Sequence, residues 1–280
     1  MKKTERLIYT NGNGNQLEIS WFSSFTPLSF ADDLDNEMTT SKNNLQDGET
    51  YISSSLDSRQ IRIDGFFKLD TSRELERQLR KVFNPKLLGK LVFDDGEKER
   101  YINVRVAALP EITRKQRYAE FSLDLIAHDP FWREQERTEY IALLTAQLRF
   151  PLVIPKARGV IFGLKRSILE TEINNIGDVA AGFRVVFKAK GTVVNPCIVN
   201  SYTGERIKLK VTMSKGDTIE VINEPSRKLI YINGVKDFSK LDRLATSFFA
   251  LEVGKNLVGY QADENVVNLD VIVYYSPLYL

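Results

Sequence analysis

Histidine and cysteine are almost absent from this sequence, with one of each in 280 residues. A lone Cys197 excludes an internal disulfide framework and fits a chain made and kept in a reducing cytosol. One Cys and one His cannot supply the three or four nitrogen and sulfur ligands that zinc requires. A Ser-His-Asp or Cys-His centre would have to use His128, with Cys197 or a serine as nucleophile. No nucleophile-elbow G-x-S-x-G pattern is present to hold such a serine. His128 therefore reads as a strand-end residue before Asp129-Pro130, and Cys197 as a small buried hydrophobe behind Pro196.

Surplus charge is missing too. Lys and Arg number 39 against 37 Asp and Glu, a net +2. Nucleic-acid binders need a basic surplus to displace counterions, so nucleic-acid binding is not expected. The local cluster Lys156, Arg158, Lys165 and Arg166 reads as a solvated hairpin. No run of 18 apolar residues occurs, so no membrane-spanning helix is expected. The charged start Met1-Lys2-Lys3 leads only to Leu7-Ile8-Tyr9 and then Asn11-Gly12-Asn13-Gly14, which does not read as a signal peptide. If the protein reaches the exterior of a cell, lysis or a dedicated route is expected.

Other chemistry is equally thin. Asp32-Asp33-Leu34-Asp35-Asn36-Glu37 is acidic but lacks the glycine and distant bidentate Glu of a calcium loop. Gly12-Asn13-Gly14 has no Lys-Ser/Thr and no helix after it, as a phosphate loop would. Asp94-Asp95 and Asp263-Glu264 look like acids of exposed turns, although paired carboxylates for glycoside hydrolysis remain open. No catalytic, cofactor-binding or metal-ligating residue is assigned, and no cofactor is expected.

What the sequence does have is alternation. Its length fits two domains, and its 42% hydrophobic and 27% charged residues are those of a globular protein. Phe and Tyr outnumber Trp and Met, 27 to 5, which suits pleated half-buried surfaces. Leu17, Ile19 and Trp21, then Ile61 and Ile63, then Ile102, Val104, Val106 and Ala108, then Ala119, Phe121, Leu123 and Leu125 each recur at period 2. Each set predicts a half-buried strand. Asp94-Asp95-Gly96 predicts a hairpin turn. Leu75, Leu79, Val82 and Phe83 instead fall at helical spacing. Thr71-Ser72-Arg73-Glu74 supplies a capping box and Asn84-Pro85 a stop. The polar stretch from Met38 to Ser58 predicts a long hairpin arm or loop.

Alternation stops at the charged run Arg133-Glu134-Gln135-Glu136-Arg137, placing a boundary behind it, with domains at 1–138 and 139–280. Beyond it, Phe183, Val185 and Phe187, then Ile207, Leu209, Val211 and Met213, then Leu269, Val271 and Val273 predict further strands. Turn signals at Tyr202-Thr203-Gly204-Glu205, Lys215-Gly216-Asp217, Asn223-Glu224-Pro225 and Asn233-Gly234 separate them. Short strands with turns at this spacing indicate a β-sandwich. The expected fold is mostly β, an N-terminal sandwich or split barrel with one inserted helix and a C-terminal sandwich.

Several short stretches, taken in order, carry a family likeness. They are Gln46-Asp47-Gly48 with Arg59-Gln60-Ile61-Arg62-Ile63-Asp64-Gly65, and Phe121 to His128 followed by Asp129-Pro130-Phe131-Trp132. Next come Asn174-Asn175-Ile176-Gly177-Asp178-Val179, Asn195-Pro196, Asn200-Ser201-Tyr202-Thr203-Gly204-Glu205 and Gly254-Lys255-Asn256. Tyr274-Tyr275-Ser276-Pro277-Leu278-Tyr279-Leu280 closes the series. In this order they resemble the distal tail protein family of long, non-contractile-tailed bacteriophages, also called the phage tail component family. The resemblance implies an N-terminal ring-forming domain and a C-terminal galectin-like sandwich. It implies a hexamer, a hub of the virion tail tip between the tail tube and the tip or fibre proteins, with DNA passing through its bore. Synthesis in the host cytoplasm and release by lysis would suit such a protein. The competing expectation is a carbohydrate-binding module for host cell-wall sugars. Sugar sites want exposed aromatics beside fixed polar groups, yet Trp21 and Trp132 both lie in the first half, with Tyr202 the obvious loop aromatic of the second. A cell-wall hydrolase is the third expectation.

Overall fold

The computed structural model describes residues 2–45, 47–68, 72–142, 144–146, 163–165 and 170–280. Among the described residues it is mostly β with one α-helix, and it divides into two compact units, Met1–Glu134 with Leu280 and Gln135–Tyr279.

In the first unit the strands are β1 (Arg6–Asn11), β2 (Gln16–Ser20), β3 (Thr26–Asp33), β4 (Asn36–Ser41), β5 (Thr50–Leu56) and β6 (Arg59–Lys68). Helix α1 (Ser72–Val82) follows, then β7 (Leu88–Asp94), β8 (Glu99–Val106), β9 (Glu111–Arg114), β10 (Tyr118–Ala127) and β11 (Trp132–Arg133). The main sheet runs β2-β1-β7-β8-β10-β6-β3, with β9 on β10. Its two ends approach each other where Ile19 bridges Phe25, so the sheet is nearly closed. That closure hides edges which otherwise invite association. Inward residues alternate as expected: Leu17, Ile19, Ile61, Ile63, Ile102, Val104, Phe121, Leu123 and Leu125 are buried. Trp21 and Ala108 do not follow. Both lie just past a strand end, Ser20 and Val106 respectively, and both are exposed.

Helix α1 buries Leu79 and Val82, and Phe83 just after it stacks on Tyr9 with ring centroids 4.2 Å apart. The helix stops two residues before Asn84, whose side chain accepts the Lys86 N–H instead. Pro85 cannot donate to the helix ladder, so the stop is local chemistry. The cap expected at Thr71 lies outside the described residues.

The second unit contains β12 (Arg137–Ala142), β13 (Leu144–Ala146), β14 (Gly163–Lys165), β15 (Glu170–Asn175), β16 (Phe183–Ala189), β17 (Val193–Val194) and β18 (Cys197–Asn200). It continues with β19 (Arg206–Lys208), β20 (Thr212–Met213), β21 (Thr218–Glu224), β22 (Arg227–Ile232), β23 (Val235–Lys236), β24 (Gly254–Gln261) and β25 (Leu269–Tyr275). One sheet has the order β12-β25-β16-β21-β22-β23 and the other β15-β24-β18-β19. Phe183, Val185, Phe187, Val271 and Val273 from the first face Ile173, Ile198, Ile207 and Val258 from the second in one apolar core. This is a β-sandwich. The run read as a single strand from Ile207 to Met213 is broken into β19 and β20. Leu209 bridges Leu241, and the Val211 N–H donates to the Asn195 side chain, so both leave the ladder.

Buried asparagines shape the loops of this unit. Asn175 donates to the carbonyls of Val179 and Leu251 and accepts the Gly177 N–H. A Cβ on Gly177 would lie 2.5 Å from the Leu278 carbonyl oxygen, so only glycine fits. Asn200 accepts the Tyr202 N–H at 3.0 Å, and Asn256 ties together Glu252 and Gly254. Asn233 and Gly234 both have positive φ, 49° and 80°, as the tight turn between β22 and β23 demands.

Candidate assembly interface

Strands β3 and β6 form an antiparallel pair from Thr26↔Phe66 to Asp33↔Gln60. The same hairpin resumes as β4 and β5, from Asn36↔Leu56 to Ser41↔Thr50. All residues of β4 and β5 are exposed. The arm thus leaves the domain as a two-stranded ribbon with water on both faces. Isolated two-stranded ribbons are marginal in water, so a free arm of this kind is poised to gain from a partner. Two extra residues bend the hairpin: Leu28 in β3 and Ile52 in β5, each at a register shift and each exposed. Bulges re-aim side chains and increase twist.

One face of the arm is partly apolar. Met38 lies opposite Ser54, Thr40 opposite Tyr51 and Asn36 opposite Leu56. Directly opposed residues share a face. Met38, Tyr51 and Leu56 therefore project together, all exposed.

The root of the arm is clamped by a polar cluster. Arg59, the first residue of β6, has a side chain only 3% exposed. Its Nη1 donates to Asp32 Oδ1 at 2.7 Å and its Nε donates to the Pro130 carbonyl at 2.6 Å. The other oxygen of Asp32 accepts the indole N–H of buried Trp132 at 2.8 Å. A buried guanidinium needs a partner of this kind, and Asp32 serves two donors at once. The Asp-Pro-Phe-Trp step thus holds the base of the arm. In the sequence Asp32 stands out only as part of an acidic run. Nothing in the spacing of Asp32, Arg59 and Trp132 advertises their meeting.

The remaining residues singled out from the sequence stay apart. His128 is exposed at the end of β10, and Cys197 is buried in the second unit. Burial pushes the Cys197 thiol up to about 11. Asp94 caps its own turn by accepting the Gly96 N–H and pairs with Arg6 at 2.6 Å; both hold its carboxyl below the ordinary range. Asp95 accepts from Glu97 and Lys98. Asp263 binds Lys208 and Asn195. Tyr202 is exposed on a turn. Of the basic cluster, Lys156, Arg158 and Arg166, with the side chain of Lys165, lie outside the described residues. Among the described residues no group of three or more His, Cys, Asp or Glu is placed to hold a metal, and no helix is long and apolar enough to cross a membrane.

A nearly closed β domain with a projecting arm and a separate β-sandwich unit define a structural component of a phage tail tip once its relatives are considered. A phage tail protein RIFT-related domain matches residues 14–127, and a siphovirus-type tail component, C-terminal domain, matches residues 176–279. The chain belongs to the siphophage distal tail protein family. Among solved structures it is similar to the SPP1 Dit protein, described as a paradigm of the hub adsorption apparatus in phages infecting Gram-positive bacteria. That match has a TM-score of 0.71 at 12% identity and covers 98% of this chain and 99% of the other. Chains of the phage P2 baseplate in its activated conformation align at TM-scores of 0.49 with Ca and 0.48 with Sr, at 9% and 10% identity. Each covers 97% of both chains. No curated protein sequence matches.

Proposed function

We propose that this chain is a hexameric baseplate hub, joining the tail tube to the tail-tip or fibre proteins. The N-terminal domain, 1–138, forms the ring, and the C-terminal domain, 139–280, is a galectin-like sandwich. The role is mechanical and adaptor-like, without catalysis, and the subunit is made in the host cytoplasm before assembly. The hub role is carried over from the description of the SPP1 relative.

The observation that carries this reading is the arm: a paired ribbon with every residue exposed, clamped at its root by Arg59, Asp32 and Trp132. Within its own domain the ribbon buries none of its strand residues. A cyclic assembly gives it a partner and buries its backbone and its apolar face.

The test is deletion of the arm. The Asp57 N–H donates to the Asp35 carbonyl at 3.0 Å, so the two ends can be joined by a short turn without disturbing the domain. Light scattering on the full chain, alone and with purified tail tubes as template, is expected to give six copies. The arm-deleted chain is expected to be folded and monomeric in both settings. A six-fold assembly of the deleted chain would overturn the role given to the arm. Specific binding on a glycan array would favour sugar recognition by the second domain, and a clearing zone on host cell wall would contradict a purely structural role.

A further inference from the structure

The two ends of the first unit differ sharply in charge. Residues 33–57 hold six acids, Asp33, Asp35, Glu37, Asp47, Glu49 and Asp57, against Lys42 alone. All seven are exposed. This is the arm and its root, at the Arg59 end of β6. At the Lys68 end of β6 lie α1 and the turn between β9 and β10, since Tyr118 pairs with Lys68 and Ala127 with Arg59. There the balance reverses. Arg73, Arg77, Arg80 and Lys81 on α1 line a shallow groove with Glu76 and Arg114. Lys115 and Arg117 continue it along the turn. Arg114 grips Glu76 through two bonds of 2.8 and 3.0 Å and ties turn to helix. Arg73 and Arg80 stand within electrostatic reach of Glu76, and Lys115 pairs with Glu120 at 3.5 Å. The bases outnumber the acids there, so the groove keeps a net positive charge. Exposed aromatics stand at the same end: Phe22, 86% exposed, and Tyr118.

We infer that the α1 groove and the β9–β10 turn of one copy are the dock for the acidic arm of the next copy. The inference rests on the ring reading and names the surface it requires. Ten residues of β6 separate the two features, about 30 Å at 3.3 Å per residue. A patch at one end that fits a patch at the other makes a head-to-tail contact, and head-to-tail contacts generate rings when the rotation closes. The match is one of charge: the acids of the arm meet the bases. Glu37, paired with Ser55, leaves the arm on the face opposite Met38, and Phe22 stands beside Lys68 and Leu75 rather than among the bases. Charge of this kind selects the partner and its register.

The test places a photo-crosslinking residue at Tyr51 in the full chain. A mixture of isotopically light and heavy copies separates links between copies from links within one. The reaction is run on purified protein and on assembled tails, and linked peptides are mapped by mass spectrometry. Links between copies are expected in residues 72–82 or 111–118. Links to another copy elsewhere would overturn this dock and leave the ring standing. No link between copies in assembled tails would overturn the ring reading itself. A charge exchange gives a second readout. Asp35→Lys with Glu37→Lys, or Arg77→Glu with Arg80→Glu, is expected to weaken assembly about tenfold or more. All four reversals together in one chain are expected to restore it. Either pair leaving assembly unchanged would count against the dock, as would a failure of the combined chain to recover.

Discussion

Replacing Asp32 by alanine is expected to be among the most damaging single changes in the first unit, and its asymmetry with Arg59 is the informative part. Arg59 is 3% exposed and Asp32 is 23% exposed. Arg59 Nη2 is already buried without a hydrogen-bond partner, so Asp32 supplies the countercharge the guanidinium depends on. Asp32→Ala strands that charge and also orphans the Trp132 indole N–H. Breaking one side of a buried pair costs about 3–5 kcal/mol, and the lower end applies because Asp32 is partly wet. Arg59→Met keeps the aliphatic stem and leaves a carboxylate that can reach water and still accepts from Trp132. That change is expected to cost about 1–2 kcal/mol. Urea unfolding followed by tryptophan fluorescence reports this unit selectively, because Trp21 and Trp132 both lie in it. With a slope of about 2 kcal/mol per molar, the midpoint falls by about 1.5 M for Asp32→Ala and by about half that for Arg59→Met. An Asp32→Ala midpoint within about 0.5 M of the parent, or an Arg59→Met cost exceeding it, would refute the clamp.

Three further outcomes follow from the same structure. Gly177→Ala is expected to destabilise the second unit by about 2 kcal/mol or more, since its Cβ would collide with Leu278 backbone; calorimetry of the full chain would show the loss. Cys197, buried and pushed up to about 11, is expected to react with a disulfide reagent at pH 8 more than a hundredfold slower than the unfolded chain; rapid labelling of the native protein would contradict its placement. The folded Asp94 carboxyl lies below its unfolded value of roughly 3.9, so its contribution is complete above that value and disappears as pH falls through the folded one. Asp94→Asn is therefore expected to flatten the acid limb of stability below about pH 5 and to lower the plateau at neutral pH, as pH-dependent urea melts would record.

Much of the fold was legible because strands with one dry face must alternate. Leu17 and Ile19, or Phe121 to Leu125, could be read directly. The same rule overran at Trp21, where β2 ends and Ser20 and Ser23 build a turn through the Ser23 hydroxyl. It overran again at Leu209 and Val211, which point inward without staying in the ladder. The arm showed itself only as a polar stretch. Both its faces are wet, so burial imposes no alternation there, and Met38, Tyr51 and Leu56 look scattered until the bulge at Ile52 sets them on one face. The clamp was invisible for another reason. Asp32, Arg59 and Trp132 are far apart in the chain, and ionic partners leave no periodic trace. The charge contrast along β6 was hidden in a balanced total of +2, because the acids of the arm cancel the bases of α1 in any whole-chain count.

Electron microscopy of the parent tail tip, with this chain labelled, would show the copy number and the path of each arm. Six copies are expected in one ring at the end of the tail tube, each with residues 36–56 laid across its neighbour. A single copy, or copies whose arms touch no neighbour, would contradict that arrangement.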